Sequence, residues 1–114
     1  MVLSAREVAE AFSGHRFEVA FPYLDDHVIW RMPGSEGLEG REAVVAACRS
    51  TATALADTRI EVERFVVVDG GDVVAVDTLT GYRDADDVST VASCDIYEFR
   101  DGLIARITSY TVEV

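Results

Sequence analysis

The sequence predicts an α+β domain in which three N-terminal helices cover one face of a curved antiparallel sheet. Three observations carry this expectation. Apolar residues recur at helical spacing through the first half of the chain and alternate with polar ones after residue 58. The alternating segments follow one another directly, joined by the short connections "GG", "DADDV" and "DG" expected of hairpins. Helices first and strands afterwards is the order of a layered α+β domain.

Each element has its own signal. "SAREVAEAFSGH" opens a helix at a capping box, Ser4 with Glu7, with Val8, Ala9 and Phe12 as its apolar stripe and Gly14 as its stop. "RFEVAFPYLDD" reads as a second short helix carrying Phe17, Ala20, Phe21 and Leu24, with Pro22 imposing a kink or 3₁₀ turn. "HVIWRM" is a strand and "PGSEGLEG" a loop. "REAVVAACRSTATALAD" is the clearest helix, with Val44, Cys48, Ala52 and Leu55 on one stripe. "TRIEVERFVVVD", "DVVAVDTLTGYR", "STVASCDIYEFR" and "LIARITSYTVEV" are four strands. In the first of them the inward phase slips between Ile60/Val62 and Phe65/Val67, which predicts a bulge near Glu63–Arg64.

Composition narrows the function. At 114 residues the chain is expected to form a single domain spanning 1–114. A net charge of −11 argues against nucleic acid or an anionic membrane as partner. No run is long and apolar enough to span a bilayer, and Met1–Ser4 leads straight into a polar helix start with no leader pattern. Cys48 and Cys94 lack metal-ligand spacing and sit in apolar contexts, as reduced core thiols of a cytoplasmic protein would. The sequence contains no Lys, Asn or Gln, so lysine Schiff-base chemistry and side-chain amide donors are excluded. All ten basic side chains are arginine, a bias that fits a GC-rich bacterial genome.

Strand alternation sorts the polar residues by face. Ser93, Asp95, Tyr97 and Phe99 share one face, Ala75, Asp77 and Leu79 another, and His27, Ile29 and Arg31 a third. His15 and His27 read as solvated boundary residues rather than metal ligands. "DADDV" is too short for a calcium loop, no Gly-rich turn cradles phosphate, and no nucleophile elbow occurs.

With the elements in place, the chain resembles the nuclear transport factor 2-like superfamily, in its SnoaL-like and ketosteroid isomerase-like branch. The resemblance runs along nearly the whole chain and is carried best by "VIWRMPGSEGLEGREAV" and "CDIYEFRDGLIARITSY". It implies a cone-shaped half barrel around a mostly apolar cavity and a homodimer formed through the outer sheet face. It also implies a relative of isomerases, epoxide hydrolases, polyketide cyclases and non-enzymatic binders. Fold alone selects no activity.

The family's catalytic positions carry over unevenly. The steroid isomerase base falls on Arg31 and the oxyanion-hole tyrosine on Phe12, whereas the oxyanion-hole aspartate falls on Asp95. The first epoxide hydrolase aspartate falls on Asp77, but its arginine partner is Ala75 and its second aspartate Ser109. The acid that cyclases carry near the last strand has no counterpart before Glu113.

The resemblance turns the three sorted faces toward the cavity and so implies Arg31, Asp77 and Asp95 in one pocket. Asp77 and Asp95 are then the catalytic candidates, Asp77 as base or acid and Asp95 as hydrogen-bond donor or orienter. Arg31 is the anion clamp, and Phe12, Trp30, Tyr97 and Ser109 complete the candidate substrate-binding set. Trp30 and Tyr97 read better as core or dimer residues than as ligand platforms, and an Arg–Asp pair reads equally as a structural ion pair. The expected function is cofactor-free, metal-free proton transfer on a hydrophobic carbonyl-bearing metabolite, by an isomerase, cyclase or dehydratase. The alternative is a non-catalytic dimeric binding or accessory module. Outward apolar residues expected on the last strand, Ile104, Tyr110 and Val112, favour association.

Overall fold

The computed structural model describes residues 2–114. Helix α1 (Ala5–Ser13) begins at the expected capping box. Ser4 Oγ accepts from the Glu7 amide at 3.2 Å, and Glu7 Oε1 accepts from the Ser4 amide at 2.9 Å. The bond from the Ser4 backbone above all, and then the Ser4 hydroxyl, hold the Glu7 carboxyl below its ordinary value. Val8, Ala9, Ala11 and Phe12 are buried along the inner stripe of α1. Gly14 caps the helix, and His15 takes a left-handed φ of 64°. The chain turns there, and Phe17 at the start of α2 (Phe17–Ala20) meets Phe12 edge-on at 5.3 Å.

After α2 the chain departs from the expected helix. A 3₁₀ turn at Phe21–Tyr23 contains Pro22, and strand β1 (Leu24–Arg31) starts three residues earlier than the sequence implied. Proline supplies no N–H to continue a helix, whereas Leu24 gains a partner, Ile104, in the sheet. The following loop contains a short strand, β2 (Leu38–Glu39), paired antiparallel with β1. Gly40, at φ 93°, donates its N–H to the Val28 carbonyl at 2.8 Å and starts α3 (Arg41–Ala54).

Strands β3 (Arg59–Asp69), β4 (Val73–Arg83), β5 (Val88–Arg100) and β6 (Leu103–Glu113) form the expected meander. The sheet order is β2-β1-β6-β5-β4-β3, and the sheet curves without closing. It is mixed rather than antiparallel throughout, because β1 returns alongside β6 in the parallel sense. The β3 register slips between Val62 and Arg64, where the bulge was expected.

The core lies between the helices and the inner face of the sheet. Val8, Val28, Val44, Cys48, Val74, Val76, Tyr97, Ile104 and Ile107 are almost fully enclosed. Burying each such Val or Ile contributes about 1.5–3 kcal/mol, so this cluster dominates the packing energy. Ile104 is therefore a core residue, not the outward one expected from alternation. The β5–β6 register shifts between Glu98 and Phe99, and this shift turns Ile104 inward. No helix among the described residues is long and apolar enough to cross a membrane.

Candidate active site in the sheet's concave face

The inner face changes character along each strand at the same level. Paired rows run Val74–Tyr97–Ile107, then Val76–Asp95–Ser109, then Thr78–Ser93–Thr111. The first row is core. In the second and third rows hydroxyls and one carboxylate replace aliphatic groups, and here a cavity of about 200 Å³ opens beneath Phe12, Phe17 and Trp30. Met32, Thr51 and Val91 complete much of its wall.

Asp95 is the only carboxylate that lines this cavity among the described residues. Ser109 Oγ donates to its Oδ1 at 2.6 Å, and Ser13 Oγ donates to its Oδ2 at 2.8 Å. Ser109 in turn accepts from Trp30 Nε1 at 2.9 Å. Ser13 Oγ lies 2.6 Å from the Tyr97 hydroxyl, and because its one proton goes to Asp95, Tyr97 must be the donor there. Two relays therefore converge, Trp30 to Ser109 to Asp95 and Tyr97 to Ser13 to Asp95. Every proton in them points toward the carboxylate. Asp95, expected to be a hydrogen-bond donor or an orienter, accepts from both serines here. Tyr97, fully buried, has its phenol pushed well above the ordinary value by desolvation and by the Asp95 charge.

Across the cavity stand His15 and Tyr82. Tyr82 shares the inward parity of Val74, Val76, Thr78 and Thr80 on β4, and its hydroxyl lies 3.3 Å from His15 Nε2. His15 packs edge-on against Phe17 at 5.6 Å and Tyr82 at 6.0 Å. Burial pulls the His15 imidazole below its ordinary value, partly offset by the Asp95 charge. Burial raises the Tyr82 phenol, and Asp95 raises it further. A neutral His15 that donates from Nε2 frees the Tyr82 proton for a ligand oxygen; the other tautomer consumes that proton. The expectation that His15 is a solvated boundary residue is thus corrected. His27 does stay at the surface.

A second space, a vestibule of about 470 Å³, lies between the end of α3 and the β4–β5 connection, where Asp84 and Asp87 stand. His15, Thr51, Tyr82 and Val91 line both spaces.

Of the sequence-derived set, the fold brings Asp95, Phe12, Trp30 and Ser109 to the cavity, with Tyr97 directly beneath. It does not bring Arg31 or Asp77. Val28 and Trp30 point inward from β1, so Arg31 is exposed on the opposite face beside Thr108. The other phase would have buried His27 and Arg31, at the cost of desolvating a guanidinium. Asp77 likewise faces outward, because Val76 and Thr78 on either side of it face in. It pairs with Arg64 at 2.9 Å, both side chains about half exposed. The expected Arg31–Asp77–Asp95 trio does not exist, and the nearest thing to an Arg–Asp pair is on the outer surface. Ser13, His15 and Tyr82 are the site residues that the sequence reading missed.

Comparison with known proteins agrees with this fold. The SnoaL-like domain model matches residues 5–107. The structure resembles an NTF2-like protein of unknown function from Cytophaga hutchinsonii, with a TM-score of 0.81, 23% identity, and coverage of 93% of this chain and 94% of that one. It also resembles a protein provisionally named a polyketide cyclase from Pseudomonas putida, with a TM-score of 0.71, 19% identity, and coverage of 95% and 91%. A third similar structure is an LEH-like epoxide hydrolase from M. tuberculosis, with a TM-score of 0.68, 17% identity, and coverage of 95% and 82%. At these identities the likeness speaks for the fold. Comparison with curated proteins finds no match. A six-stranded open cone under three helices, with a family model spanning most of its length, places the chain in the SnoaL-like family of the nuclear transport factor 2-like superfamily.

Proposed function

We propose that this protein is a cofactor-free enzyme that moves a proton on a hydrophobic, carbonyl-bearing small molecule, as an isomerase, cyclase or dehydratase does. The observation that carries this reading is the Asp95 carboxylate, fixed by Ser13 and Ser109 and facing Tyr82 and His15 across an aromatic-walled cavity. Asp95 takes a proton from the carbon next to the carbonyl. The enolate oxygen that forms accepts from the Tyr82 hydroxyl, and the proton returns to the same or another carbon. Positioned acid–base groups of this kind contribute about 10²–10⁴-fold. The names of similar structures, which include a polyketide cyclase and an epoxide hydrolase, lend support at the level of small-molecule chemistry.

Exchange of the α-protons of benzylacetone into D₂O, followed by proton NMR, tests the reading without knowledge of the natural substrate. The wild type should exceed buffer, and Tyr82→Phe should slow exchange while leaving benzylacetone bound. Exchange at the buffer rate in the wild type, with the ketone bound, refutes it.

The converging relays also support a second reading, a non-catalytic binding module. They tie the end of α1 to β1, β5 and β6, which is what a purely structural brace would do. Homodimerisation belongs to both readings. Val66 and Val68 on β3 and Tyr110 and Val112 on β6 are exposed apolar residues on the convex face, on either side of the Arg64–Asp77 pair. A dimer should be measured by light scattering and lost in Tyr110→Arg. A cytoplasmic location is also part of the proposal, in keeping with two free thiols.

A further inference from the structure

Among the described residues, the cavity is lined by a carboxylate and by no arginine to answer it. With no lysine in the sequence, its basic side chains are arginine and histidine. Arg6, Arg59, Arg64, Arg83 and Arg106 are engaged with surface carboxylates. Arg41 bonds the Phe21 carbonyl, and Arg49 lies over the Phe21 ring at 5.5 Å. Arg16 and Arg49 line a groove between α2 and α3 on the other side of His15 and Phe17 from the cavity lining, while Arg31 and Arg100 are exposed. None of the ten lines the cavity or its vestibule. Among the described residues, the basic side chain there is His15, whose burial favours the neutral imidazole. Among the described residues, the carboxylates lining the two spaces are therefore Asp84 and Asp87 in the vestibule and Asp95 in the cavity.

We infer that this site selects against negative charge: ligands that carry a carboxylate or phosphate are rejected, and ligands without one are admitted. The inference rests on the cavity being the ligand site. Asp84 and Asp87 repel an approaching anion from an exposed position, so their share is screened by salt. Asp95 acts at closer range and with less water around it. A like charge about 6 Å from it, at an effective dielectric of about 20, weakens binding roughly a hundredfold. An uncharged carbonyl meets no such opposition and gains the Tyr82 hydroxyl as donor. Substrates presented as acyl phosphates or other anionic conjugates would accordingly have to be released from their carrier before they enter.

Three probes of one shape test this: benzylacetone, its carboxylate analogue hydrocinnamate, and phenylpropylammonium. Trp30 is the only tryptophan and its indole N–H lies in the cavity network, so one resonance in a ¹⁵N-edited spectrum reports occupancy. Benzylacetone should bind, hydrocinnamate should bind at least about thirtyfold more weakly, and phenylpropylammonium should lie within about tenfold of the ketone. Asp95→Asn should restore most of the hydrocinnamate affinity. Asp84→Asn with Asp87→Asn, which leaves the interior untouched, should restore a smaller part that disappears at high salt. Hydrocinnamate binding as well as the ketone overturns charge selection and leaves the cavity reading standing. Rejection of the ammonium as strongly as the carboxylate also overturns it, since desolvation rather than sign would then decide. Binding of none of the three overturns the cavity reading and this inference with it.

Discussion

Replacing Asp95 by asparagine tests the relays through stability rather than turnover. In the wild type both carboxylate oxygens accept from serines, at 2.6 and 2.8 Å. Asparagine keeps the shape but offers one acceptor and one donor group. One serine can still donate to its oxygen. The other already accepts from Trp30 or Tyr97 and must also accept from the new amide, so its own proton turns into the cavity. Two charge-assisted bonds worth about 1.5–3 kcal/mol each become two neutral ones worth about 0.5–1.5 kcal/mol. Relief of desolvation at the half-buried carboxylate offsets part of that difference, leaving a net cost of about 1–2 kcal/mol. For a domain of this size the Tm should fall by about 5–10 °C. Calorimetry on the two proteins at neutral pH measures it. An Asp95→Asn protein as stable as the wild type, or more so, would show that the serines do not hold a carboxylate.

Three further outcomes follow from the same geometry. His15 should titrate below the ordinary histidine value by NMR, and lower still in Asp95→Asn, because the Asp95 charge is what raises it. Since its folded pKa lies below its unfolded one, the stability it contributes is complete above about pH 6.5 and lost as pH falls through the folded value; a His15→Phe variant should show a shallower acid-side decline. Cys48, enclosed by the core and pushed up to about 12 by burial, should resist a thiol reagent at about pH 8, and Cys94 should label first. Gly40→Ala should cost about 1–2 kcal/mol, read by chemical denaturation, because its φ of 93° suits no residue with a Cβ.

Some of this was legible in the sequence for physical reasons. The bulge in β3 shows as a phase slip because Ile60/Val62 and Phe65/Val67 cannot share a face without an extra residue between them. Asp95, Tyr97 and Ser109 lie on strands whose inner face the family resemblance identifies. Arg31 and Asp77 were misplaced for a common reason. Val28-Ile29-Trp30 and Val73-Val74-Ala75-Val76 are apolar on both faces, so alternation alone does not fix their parity, and a one-residue slip exchanges the faces. The correct parity follows from asking which phase avoids burying a charge, and it would have brought Tyr82 into the site. His15 is different. Its burial depends on a left-handed turn after α1 that brings the ring against the end of β4, a contact between residues 67 positions apart. Two-residue β2 has no periodicity to read.

The central claim is that the chemistry sits at Asp95 on the concave face and not at Asp77 on the convex one. Benzylacetone α-proton exchange in the wild type, Asp95→Asn and Asp77→Asn decides it in one series. Asp95→Asn should lose the acceleration over buffer, about 10²-fold or more. Asp77→Asn, which disturbs only a half-exposed pair with Arg64, should stay within about twofold of the wild type. Exchange that survives in Asp95→Asn, or collapses in Asp77→Asn, contradicts the claim.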